Sequence, residues 1–168
     1  MAEAGADAEF VALFVDQRAG ALRLAALLLG DADLAGDVVA DAFARMYPHW
    51  RQGQVDDPTA YLRKAVVNGV RGRWRRRRTA PHVEALRDDD GIPVVDLATA
   101  ASDRLAVRGA LLSLPPRMRA AVVLRYLDDL SEAETAAALG TSVGTVKGYV
   151  ARGLVRLRAA LDDDESDR

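Results

Sequence analysis

The chain contains no cysteine, which excludes a disulfide framework and a thiolate metal site. Imidazole is scarce: only His49 and His82 can supply it. No glycine-rich phosphate loop is visible either, so metal, triad and nucleotide-dependent enzymes find little to work with here. No enzyme activity, cofactor or metal is expected. Aromatics make up 5% of the residues, and the apolar content is mostly Ala, Leu and Val, which suits helix bundles. No Val/Ile/Thr-rich run alternates with period two, so strands are not expected. No apolar run approaches the roughly 20 residues of a membrane span. Asp16, Arg18 and Arg23 interrupt the most hydrophobic segment, residues 10–29, and no signal peptide is visible. A cytoplasmic protein with no membrane partner is expected.

Charge is present in quantity but unevenly placed. The net value of -2 would normally argue against a nucleic-acid partner. Yet residues 63–78 carry eight basic side chains and no acidic one. Residues 142–161 carry Lys147, Arg152, Arg156 and Arg158, again with no acid. The acid lies elsewhere, in Asp88, Asp89 and Asp90 and in the tail at 162–167. Two separated cationic segments suggest two anion-facing surfaces.

With 168 residues the chain can form one ordinary domain or two small ones. The pattern suggests an all-α protein of two small helical domains, at 1–78 and 103–168, joined by a flexible acidic linker at 79–102. A first helix is expected from about Asp7 to Leu29, stopping at Gly30. Asp31 or Asp33 can cap a second, running to about Trp50. Asp57-Pro58 marks a third helix start, since Asp accepts from free amides and Pro needs no donor there. The linker contains Pro81, Gly91, Pro93 and the Asp triplet and has no helical period. Beyond it, Pro115-Pro116 breaks one helix after Leu114 and opens the next. Ser131 with Glu134 fits a capping box for a short helix, followed by a Gly140-Thr141-Ser142 turn.

The helix at 57–78 has two sides. Leu62, Val66, Val70 and Trp74 sweep one of them at about 100° per residue. Lys64, Asn68, Arg71, Arg75 and Arg78 fall within about 80° of one another on the other. Like charges at this spacing oppose helix formation unless an anion meets them, and phosphates are the obvious candidate. Asn68 differs from its neighbours: its amide both donates and accepts, which suits a base edge. Trp74 is read as core rather than as a stacking platform.

Residues 130–158 read as two helices joined by a tight turn, the pattern of a helix-turn-helix whose second helix enters a DNA major groove. In that second helix Val143, Val146, Val150, Leu154, Leu157 and Leu161 form an expected buried stripe. Gly148 and Arg152 point away from it, with Thr145 close by, while Lys147 and Tyr149 take opposite shoulders. Arg152 suits a bidentate guanine contact and Lys147 a phosphate.

These segments, taken in order, resemble the extracytoplasmic-function (group IV) sigma factors of the sigma-70 family. The likeness spans about residues 8–161 and is carried by DADLAGDVVADAFARMY, DPTAYLRKAVVNGVRGRWRRR, SLPPRMRAAVVLRYLDDLS and GTSVGTVKGYVARGLVRLR. The resemblance implies a factor that brings core RNA polymerase to promoter DNA and helps open it. By the same resemblance, the second helix would dock on the polymerase clamp through Asp37, Asp41 and Arg45. The third would read the single-stranded minus-ten element through Lys64, Asn68, Arg71, Arg75 and Arg78, with Asn68 beside a flipped base. The last would read the minus-thirty-five duplex through Thr145, Lys147, Gly148, Tyr149 and Arg152, helped by Arg125. The resemblance also leaves room for an anti-sigma protein as a partner. The family commonly has Ser-Arg where this chain has Gly148-Tyr149, so its promoter sequence does not carry over from relatives. A stand-alone helix-turn-helix regulator is the alternative, but it leaves the basic ridge at 64–78 without a use.

Overall fold

The computed structural model describes residues 2–79 and 100–166. These form seven α-helices and, among the described residues, no strand. The chain divides into two compact units, Met1–Asp88 and Asp89–Arg168. Residues 80–99, most of the expected linker, lie outside the described residues.

The first unit contains α1 (Ala2–Leu29), α2 (Ala32–Arg51) and α3 (Pro58–Thr79), each packed on the other two. Gly30, with φ at 74°, ends α1, and the Asp31 side chain then caps α2 by accepting from the Leu34 amide at 2.9 Å. Asp57 does the same for α3, accepting from the Ala60 amide at 2.9 Å, with Pro58 in the first turn. The core is built from Leu28, Val38, Val39, Phe43, Met46, Leu62, Val66, Val67 and Val70, all buried. Burying such a side chain fully contributes about 1.5–3 kcal/mol. The α2–α3 approach is close because Gly69 has no side chain: a Cβ there would lie 2.9 Å from Val38 Cγ1. The first helix begins five residues before the expected Asp7. Side chains from the far end of α2 hold that extra turn, Trp50 Nε1 donating to the Ala6 carbonyl at 3.0 Å and the Tyr47 hydroxyl to Asp7 at 2.8 Å.

The second unit contains α4 (Ala100–Ser113), α5 (Pro116–Tyr126), α6 (Glu132–Leu139) and α7 (Val143–Ser166). The central element is α5, in which every residue from Met118 to Leu124 is buried, Arg119 included. The Arg119 guanidinium donates to the Leu112 carbonyl at 3.1 Å and so ties the end of α4 to α5. Burial pulls its pKa below the usual arginine range. The capping box of α6 forms as expected: Glu134 N donates to Ser131 Oγ, and Ser131 N to the Glu134 carboxylate. Gly140 then turns left-handed at φ 61°, and Ser142 Oγ accepts from the Thr145 amide at 3.1 Å to start α7. That last helix continues past Leu161 into the acidic tail.

The expected buried stripe of α7 needs correction. Val146 is fully buried, but Val143 is 38% and Leu154 40% exposed, and Val150, Leu157 and Leu161 are half-buried. The face against the core runs instead through Val146, Val150, Gly153 and Leu157, at steps of four, three and four. Gly153 is buried, and a Cβ on it would lie 2.7 Å from Val122 Cγ2 and 3.2 Å from Met118 Cγ. The absent side chain lets α7 sit against α5, and this rotates Leu154 outward.

Candidate nucleic-acid interfaces

In the first unit α3 divides as its pattern implied. Leu62, Val66 and Val70 are buried, and Trp74 is half-buried. Lys64, Asn68 and Arg75 are exposed and Arg71 is half-buried. Arg78 lies in the last turn of α3, and its side chain is outside the described residues. Four of the five expected minus-ten residues therefore share the side of α3 that faces away from the core.

The run at 63–78 is nevertheless not without an acidic neighbour. Arg73, largely covered, reaches Asp37 of α2 at 3.4 Å. Asp37, Asp41 and Arg45 are exposed and recur every fourth residue along α2, so they share a helix face. One member of that expected polymerase-facing set thus also contacts the basic helix. Sequence periodicity gave no sign of this pair, because it joins residues 36 positions apart.

In the second unit α6, the turn and α7 form the expected helix-turn-helix. Arg152 is exposed, with its guanidinium 5.8 Å from the centre of the half-buried Tyr149 ring. Gly148 is half-buried, with the Arg152 guanidinium passing beside it. Lys147 is exposed and lies 3.5 Å from Glu132 at the start of α6. The Thr145 hydroxyl is 2.9 Å from Ser142 Oγ, so it takes part in the helix start. Arg125 is half-buried, donates to the Leu130 carbonyl and lies 6.0 Å from the centre of the Tyr126 ring. Its first role is to hold the α5–α6 turn. Thr145, Lys147, Gly148, Tyr149 and Arg152 all fall in the first half of α7, the part that a helix-turn-helix presents to base edges.

Both units match family models: sigma-70 region 2 over residues 14–80 and sigma-70 region 4 over residues 104–157. The RNA polymerase sigma-E factor of Streptomyces antibioticus is 36% identical over 161 residues, covering 95% of this chain and 88% of its own. This chain belongs to the sigma-70 family. Its relatives place it among the extracytoplasmic-function sigma factors. The sigma-E factor of Streptomyces coelicolor is 38% identical over 83% of this chain and 78% of its own length. The extracytoplasmic-function sigma factor SigM of Mycobacterium tuberculosis is 34% identical over 83% of this chain and 70% of its own. Among solved structures, the sigma factor RpoE of Bartonella quintana, crystallised with the anti-sigma factor NepR, shares the fold at a TM-score of 0.67. That likeness covers 92% of this chain and 97% of that one at 20% identity. No described helix of this sigma factor is long and apolar enough to cross a membrane, and no described group of His, Cys, Asp and Glu could hold a metal ion.

Three contributors were missed from sequence. Glu132 and Arg73 act through partners on other helices, which no local pattern shows. Gly153 did leave a signal, since the 146-150-153-157 spacing includes it, but a glycine is easily passed over when the apolar residues around it suggest another line.

Proposed function

We propose that this sigma factor, which directs core RNA polymerase to promoters, divides promoter reading between its two units. On this reading α3 takes the single-stranded minus-ten element, with Asn68 at a flipped base and Lys64, Arg71, Arg75 and Arg78 along the phosphates. The helix-turn-helix takes the minus-thirty-five duplex, with Arg152 at a base and Lys147 at a phosphate. Asp37, Asp41 and Arg45 face the polymerase clamp. The expected domain limits, 1–78 and 103–168, widen to take in the whole of α3 (Pro58–Thr79) and α4 (Ala100–Ser113), since the expected linker ends at 79 and 100–102 are helical. The chain acts in the cytoplasm and catalyses no reaction itself.

The observation that carries this is the side-chain split of α3: an apolar side buried in the unit and a cationic side, with one amide in it, turned outward. Duplex binding alone needs no such second surface. Unstacking a base costs a few kcal/mol, which base and phosphate contacts along α3 offset. The test is transcription by the purified chain with core polymerase on a promoter library. Promoter-specific transcripts that need the chain support the reading. Sequence-specific duplex binding by the chain alone, with no transcripts on adding polymerase, would favour a stand-alone regulator.

A further inference from the structure

We propose that Glu132 is an intramolecular counter-ion for Lys147, which it holds until a promoter phosphate displaces it. This rests on the reading that α7 enters the major groove.

Glu132 is the first residue of α6, and the helix start does not need its carboxylate. Ser131 and Glu134 already close the capping box. The Glu132 side chain turns instead to the neighbouring helix, with Oε2 3.5 Å from Lys147 Nζ. Lys147 is the only basic residue in the first half of α7 apart from Arg152. In a helix-turn-helix the first helix crosses the DNA backbone, and helix N-termini are common phosphate contacts. A carboxylate at the start of α6 therefore stands near the path of the phosphates, on the very cation that would meet them.

The pair is open to exchange. The two side chains are 62% and 42% exposed, so solvent screens them. Exposed pairs of this kind shift an equilibrium by only about 1.5- to 5-fold, whereas a DNA phosphate also releases condensed counter-ions when Lys147 meets it. The phosphate wins, but against a cost set within the protein. That cost falls on every duplex alike, because phosphates carry no sequence. Glu132 thus lowers non-specific and specific affinity together and flattens the salt dependence.

The test uses the full chain with core RNA polymerase. The probes are a fluorescent duplex selected from a randomised minus-thirty-five library and a scrambled duplex of the same composition, each titrated over a range of KCl. Glu132→Gln keeps the side-chain length and is expected to tighten both duplexes about two- to fivefold, with a salt slope steeper by up to about one. In a Lys147→Ala background the same substitution is expected to have little effect. No tightening by Glu132→Gln, while Lys147→Ala still weakens both duplexes, overturns the counter-ion role and leaves the groove reading intact. Equal tightening with and without Lys147 also overturns it, since Glu132 would then act by direct repulsion of the backbone. If Lys147→Ala changes nothing, the groove reading of this shoulder fails, and the proposal fails with it.

Discussion

Thr135 is fully buried in α6, and among the described residues its hydroxyl has no hydrogen-bond partner. Burying a hydroxyl in this way costs about 1–3 kcal/mol. Thr135→Val keeps the shape and removes the cost, so the Tm of the second unit is expected to rise by about 4 °C in calorimetry of the full chain. Arg152 poses a different balance. Leaving the Tyr149 ring costs about 0.5–1 kcal/mol at an exposed site, and a bidentate guanine contact is worth about 1–3 kcal/mol of discrimination. The base wins, so Arg152→Ala is expected to relax specificity at one or two minus-thirty-five positions in a randomised duplex library. Equal weakening of every sequence would mark it as a phosphate contact instead. On α3, Asn68→Ala is expected to change which minus-ten bases are preferred, and Arg75→Ala to weaken all sequences alike. Transcription from a minus-ten library separates the two. Exposure of Lys64, Asn68, Arg75, Lys147 and Arg152 was legible in the sequence because each follows from helical period alone. The partners of Lys147, Arg125 and Asp37 were not, because each depends on a turn or a second helix arriving at the right place.

Among the elements, glycines separate those that hold two helices together from those that merely loosen one. A Cβ at Gly153 would meet Val122, which is stiff and buried, at 2.7 Å. Overpacking of this kind costs about 1–3 kcal/mol, against about 1 kcal/mol gained from the better helix former. Gly153→Ala is therefore expected to lower the Tm of the second unit and to weaken minus-thirty-five binding with it. Around Gly109, in α4, no described atom beyond its chain neighbours and its own helix backbone lies within 4 Å of the same added atom. Gly109→Ala is expected to raise the Tm, and thermal scans of both variants check the contrast. Helix starts were the most legible elements: Asp31, Asp57 and the Ser131–Glu134 box are local hydrogen-bonding devices written within four residues. The beginning of α1 and the face of α7 were not, since Trp50, Tyr47 and Val122 decide them from elsewhere in the chain.

For the whole molecule, the near-neutral total hides two cationic helix faces on separate units, with Asp37 beside the first and Glu132 beside the second, and the acidic runs of the sequence outside both segments. Neither face is large. The free chain is expected to bind promoter duplex weakly, and to bind it tightly and with strong salt dependence once core polymerase is present. Gel shifts at matched salt, with and without polymerase, measure this; tight specific binding by the chain alone would contradict it.

Both tryptophans, Trp50 and Trp74, lie in α2 and α3, and the second unit has none. The protein thus carries its own optical label on one half only. Indole fluorescence follows the first unit, whereas far-ultraviolet dichroism follows the helices of both. A single denaturant titration read by the two probes yields superimposable curves only if the units unfold together. Trp74 also sits on the helix assigned to the opened strand, so the same emission can follow oligonucleotide binding there without any dye attached.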